Sequence, residues 1–157
     1  MPNKMNQLLR NSETLKFQIG VSGSYWDKKP AYSVSVDGVE QVSYIIAADT
    51  GVVEYAEFTL ALAEDSPHLL EIKLLNKTDD DVVQSQDQTE IIKDMLLNIE
   101  SISIDDIELG QLKWDESEFV AEDPDRPTLK NCVNLGWNGS YRLKFSSPFY
   151  LWLLEKL

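Results

Sequence analysis

Residues 69–109 read LLEIKLLNKTDDDVVQSQDQTEIIKDMLLNIESISIDDIEL. Two strand-like segments, 69–75 and 96–104, flank a loop that carries Asp79, Asp80, Asp81, Asp87, Glu90 and Asp94. In the first segment Leu70, Ile72 and Leu74 alternate with other residues, the period-2 pattern of a strand with one buried face. In the second, Leu97 and Ile99 share one parity and Ile102 and Ile104 the other, which predicts a bulge near Glu100-Ser101. The two segments are expected to be paired core strands. Between them, residues 89–97 (TEIIKDMLL) fit either a short helix or extended chain. The concentrated acids are either a cation site or a solvated loop.

The flanking chain has the same rhythm. Leu15, Phe17, Ile19 and Val21 alternate, as do Tyr32, Val34 and Val36, which run into the hairpin signal Asp37-Gly38. Val53, Tyr55, Phe58, Leu60 and Leu62 change phase near Ala56-Glu57, where a second bulge is expected. Short strands punctuated by turns, with no βαβ rhythm, predict a mainly β chain forming an antiparallel β-sandwich of jelly-roll type. Residues 1–14 read as an N-terminal arm, 15–110 as the sandwich, and 111–157 as a C-terminal extension. Within that extension, residues 111–130 read as a long loop. Val133, Leu135 and Trp137 then alternate into Asn138-Gly139, and Tyr141, Leu143 and Phe145 alternate out, which predicts a β-hairpin. The closing FYLWLLEKL is too apolar to stay bare in water. It packs onto the sandwich or onto a partner, and Trp137, Phe149, Tyr150 and Trp152 are the candidate partner-binding residues.

Composition narrows the function. The 157-residue chain carries a formal net charge of −13, which opposes binding to nucleic-acid phosphates or to an anionic membrane surface. One cysteine, Cys132, excludes an intramolecular disulfide framework, and the single histidine, His68, excludes a histidine-pair metal site. Cys132 reads as a small buried thiol. Residues 1–10 contain no apolar leader core, so no secretory export is expected, and no apolar run is long enough to span a bilayer. No nucleophile elbow, phosphate loop or metal-binding histidine motif appears, and no catalysis is expected.

Over residues 17–109 the order of features resembles the calcium-dependent xylan-binding modules, small β-sandwich carbohydrate-binding domains. Ser35-Val36-Asp37-Gly38 stands at their hairpin, residues 70–76 (LEIKLLN) resemble the strand that ends at an asparagine, and residues 94–105 (DMLLNIESISID) resemble their final segment. The resemblance implies calcium as a possible cofactor, with Asn76, Asp94 and Glu100 at polar or metal-binding positions. Lys77 replaces the family's aspartate after the asparagine, and Met95 and Leu96 replace an arginine and an asparagine. Asp79, Asp80 and Asp81 are the candidates to make up the missing carboxylates, since calcium takes about six to eight oxygen ligands. Tyr25 and Trp26, with Asn76, are the candidate glycan-binding residues.

The whole chain is also similar to short structural proteins of tailed phages that infect marine cyanobacteria. The segments that carry this are residues 17–30 (FQIGVSGSYWDKKP), 93–104 (KDMLLNIESISI), and 132–154 with NLGWNG and SPFYLWLL. That resemblance implies a non-catalytic virion structural or decoration-type protein, made in the host cytoplasm. It would be attached through its C-terminal region to other virion proteins or to further copies of itself. The alternative is a calcium-dependent glycan-binding module for a host-surface or matrix polysaccharide.

Overall fold

The computed structural model describes residues 11–157. Its longest strand, β1 (Ser12–Ser24), buries Leu15, Phe17, Ile19 and Val21 as the alternation predicts. It begins inside the expected N-terminal arm, and Ser12 already pairs with Ala63. The rest of that arm, residues 1–10, lies outside the described residues. In sequence order the other strands are β2 (Ala31–Val36), β3 (Val39–Ile45), β4 (Glu54–Ala63), β5 (Ser66–Leu74), β6 (Val83–Gln84), β7 (Ile91–Lys93), β8 (Leu96–Ile104), β9 (Ile107–Glu108), β10 (Ser117–Ala121), β11 (Leu129–Lys130), β12 (Asn134–Leu135) and β13 (Gly139–Ser147). Two α-helices, α1 (Leu112–Asp115) and α2 (Phe149–Lys156), and a 3-10 turn at Asp79–Asp81 complete the described chain.

The strands other than β6 and β7, which pair only with each other, form an antiparallel sandwich. One sheet has the order β12-β8-β1-β4, with β9 also on β8; the other has the order β11-β10-β13-β5-β2-β3. Their inner faces share one apolar core, crossed by an edge-on contact between Phe17 of β1 and Phe145 of β13 at 6.1 Å. The β2–β3 hairpin turns at Asp37 (φ 52°) and Gly38 (φ 80°), the pair of left-handed conformations that a two-residue type I′ turn demands. Asp37 also ties this turn to β5: its carboxylate accepts the Leu69 N–H at 2.9 Å and contacts His68 Nδ1 at 2.7 Å.

Several expectations change. Segments 69–75 and 96–104 are both core strands, but they are not paired. β5 lies between β13 and β2, while β8 lies between β1 and β12, so the acidic loop crosses from one sheet to the other. The bulge at Glu100 is present: Gly20 pairs with Ser101 and Val21 with Ile99, leaving Glu100 as the extra residue. The bulge at Ala56-Glu57 is absent, because β4 keeps an unbroken register with β1 from Ser12↔Ala63 to Val21↔Glu54. Small Ala56 takes the inward position, and Tyr55 faces out. Residues 89–97 form no helix: after a bend at Thr89 and Glu90 they run through β7 into β8, and Met95 is buried.

The C-terminal third is woven into the second sheet. Residues 111–130 hold α1 and β10, and β10 pairs with β13 from Ser117↔Leu143 to Ala121↔Gly139. A boundary at residue 110 would cut away β10, β11 and β13, three strands of that sheet. The hairpin expected at Asn138-Gly139 does not form. β12 pairs with β8 in one sheet, β13 lies in the other, and residues 136–138 cross between them. α2 then folds back on the core, with Phe149 fully buried and Trp152 6% exposed.

Candidate functional site

Two of the crossings between the sheets, residues 75–95 and 136–138, meet at the start of β13. The Asn138 amide joins them, accepting the Lys77 N–H at 2.7 Å and donating to the Lys77 carbonyl at 2.9 Å. This two-way bond does for the crossings what a ladder pair does for strands. It leaves the Trp137 ring in a cleft of about 350 Å³ whose rim includes Asp79, Glu122, Asp123 and Arg126. A second hollow of about 360 Å³, with Gln84, Ile91 and Asp94, shares Trp137, Arg126 and Asp79 with the first.

Two cations approach the indole. Arg126 places its guanidinium carbon 3.2 Å from the ring centroid, and Lys77 Nζ lies 5.0 Å from it. They are held very differently. Arg126 is partly exposed, and its Nε is 3.9 Å from the Asp123 carboxylate, a loose pairing within one surface loop. The Lys77 side chain is 5% exposed, and its ammonium donates to Asp94 Oδ1 and to the Gly136 carbonyl, both at 2.5 Å.

Three of the five candidate metal ligands, Asp81, Asp94 and Glu100, are spent on separate partners. Asp79 and Asp80 are exposed, and Asp79 faces the cleft. Asp81 is buried and accepts the Thr78 N–H at 2.8 Å and the Lys28 ammonium at 2.9 Å. Burial pushes its carboxyl pKa up, but the Thr78 amide and Lys28 outweigh that and hold it below the usual carboxylate range. Asp94 is paired with Lys77, and Glu100 accepts the Ser22 hydroxyl at 2.7 Å on the β8 bulge. Asp87 accepts the Ser85 and Thr89 hydroxyls, which lower its pKa to about 2. Among the described residues no three His, Cys, Asp or Glu side chains converge as metal ligands. The donor set therefore does not fit calcium, which needs several free oxygens around one point.

The candidate glycan-binding residues are also dispersed. Both ends of the Asn76 amide are used on the chain before β2: Oδ1 accepts the Ala31 N–H and Nδ2 donates to the Lys29 carbonyl. The Tyr25 hydroxyl donates to the Ala48 carbonyl, and the ring packs against the core. Trp26 donates its indole N–H to the Asp81 carbonyl and carries Lys93 over its ring at 4.9 Å, which makes it a brace for the acidic loop. Of the candidate partner residues, Phe149 and Trp152 are inside the core, Tyr150 is exposed on α2, and Trp137 forms the cleft. Cys132 donates its thiol to the Asn134 carbonyl, and burial pushes its pKa up. His68 is buried between Asp37 and the Ala63 carbonyl. Each of the two thus has a partner of its own.

No family model matches the sequence, and no curated protein matches it. Two solved structures share the fold. One is vCBM60 in complex with galactobiose, with a TM-score of 0.51 and 10% identity, covering 82% of this chain and 96% of that one. The other is the selenomethionine form of vCBM60, described with a circular permutation that links two families of calcium-dependent carbohydrate-binding modules. It gives a TM-score of 0.52 at 10% identity and covers 82% of this chain and 89% of that one. The fold is thus a mainly β sandwich of the kind seen in carbohydrate-binding modules.

Proposed function

We propose that this protein is a non-catalytic glycan-binding module whose cleft around Trp137 takes a neutral sugar. The observation that carries this reading is the Trp137 ring set in an open cleft beside Asp79, Glu122 and Asp123, on a sandwich shared with a module solved with galactobiose. An indole offers an apolar platform for the C–H face of a sugar, and carboxylates accept its hydroxyl protons. Lys77 is already matched by Asp94 and Arg126 by Asp123, so the unmatched charges of the rim are acidic. They disfavour an anionic sugar. The sugar displaces Arg126 from the ring, and an exposed cation–π contact is worth only about 0.5–1 kcal/mol.

The test is retardation of the purified chain in native gels containing soluble galactan, xylan or other neutral polysaccharides. Trp137→Ala should weaken binding at least tenfold, about 1.4 kcal/mol, the loss of a modest aromatic hot spot. Equal retardation of wild type and variant, or none for wild type across the panel, overturns the reading.

A second reading concerns assembly, in the virion setting that the phage-protein resemblance implies. The face of α2 turned away from the core exposes Tyr150, Leu151 and Leu154. The cleft lies at the first residue of β13 and α2 follows its last, so about 27 Å of strand separates them. A module held through α2 would keep its cleft free. Light scattering across a concentration series should show self-association that Leu151→Glu with Leu154→Glu abolishes while the melting temperature holds. A wild-type chain that stays monomeric throughout rejects self-assembly through this face.

A further inference from the structure

Lys77 is the best-anchored charge in the cleft wall. Its ammonium has three protons: one goes to Asp94 Oδ1, one to the Gly136 carbonyl, and the third is left on the side of the Trp137 ring. Asp94 belongs to one sheet crossing and Gly136 to the other, so a single cation clamps the two crossings beneath the indole. An oxyanion, a carbonyl oxygen and an aromatic face are partners that a metal ion would also find attractive. A divalent ion would have to expel a side chain that is 5% exposed. It would then find Asp94 Oδ1 also holding the Met95 N–H, and Asp81 taken by Lys28 and Thr78.

From this we infer that Lys77 is a built-in cation that makes the cleft metal-independent, in contrast to the calcium dependence stated for the modules of the shared fold. The ammonium organises the crossings that carry Trp137 without a bound ion. The part of this inference that concerns sugar rests on the proposed function; the part that concerns the cation does not.

Thermal melting of the full chain in EDTA and in millimolar calcium tests the cation directly. The two wild-type curves should coincide, whereas an ion bound to the native state would raise the midpoint by linkage. Lys77→Met keeps the stem against Trp137 but removes the charge, and its midpoint should fall by roughly 5–10 °C in both buffers. Lys77→Arg, which restores a cation, should recover most of that loss. A calcium-dependent rise for wild type, or a Lys77→Met midpoint equal to wild type, overturns the inference. If Lys77→Met does not fold, the wild-type pair and Lys77→Arg still decide. Gel retardation by a retained polysaccharide should be equal in EDTA and in calcium. Retardation seen only with calcium overturns metal independence, and retardation in neither buffer counts against the glycan reading alone.

Discussion

Trp152→Ala should destabilise the domain by about 3–5 kcal/mol, and deleting residues 149–157 should leave no cooperative unfolding transition. Trp152 packs on Phe149 with ring centroids 6.0 Å apart and meets Phe145 edge-on at 6.4 Å. Phe145 in turn reaches Phe17 on the opposite sheet. Emptying the Trp152 position therefore opens a cavity against the joint between the sheets. The start of β1 also grips this corner, because the Glu13 carboxylate accepts the Ser147 hydroxyl at 2.5 Å and the Phe149 N–H at 2.7 Å. For a chain of this length the loss corresponds to roughly 6–20 °C in the melting midpoint. Calorimetry or circular dichroism measures it. A midpoint within a degree or two of wild type, or a truncated chain that still melts cooperatively, would mean that α2 is an appendage. That is the outcome expected if residues 149–157 serve only for attachment.

Gly139→Asn separates two structures that the same dipeptide could encode. In a type I′ hairpin the position after Asn138 is left-handed, and asparagine is well tolerated there. In this protein Gly139 is not among the positive-φ residues, and it pairs with Ala121 and Leu74 on its two sides. A Cβ at Gly139 would come 2.5 Å from the Val120 carbonyl oxygen and 2.8 Å from the Ala121 Cα. Both obstacles are backbone, so β10 itself must shift. The expected cost is about 3 kcal/mol, the upper range for overpacking, and Gly139→Ala should show most of it. Denaturant unfolding measures both variants. A Gly139→Asn protein as stable as wild type would restore the hairpin and remove the close approach of β10.

How much was legible follows from where each signal resides. Alternation is local, so β1, the β2–β3 turn at Asp37-Gly38 and the bulge at Glu100 could be read before any contact was known. A period of two says which side chains face inward but not which strand supplies the hydrogen bonds. For that reason residues 69–75 and 96–104 looked like mutual partners yet lie in opposite sheets, and Trp137 looked like hairpin or interface and became the floor of a cleft. The fate of the acids was hidden for a related reason. Asp81, Asp94 and Glu100 are spent on Lys28, Lys77 and Ser22, up to 78 positions away along the chain.

By itself the sequence determined a mainly β sandwich, because inward-facing periodicity and turn chemistry are carried by neighbouring residues. Tertiary structure alone decided that the acidic stretch crosses between the sheets, with Asp81 and Asp94 paired to lysines. It also decided that α2 closes the core, and that Lys77, Arg126 and Trp137 meet. Those outcomes depend on which distant side chains neutralise a charge or cover a ring, and chain order does not specify that.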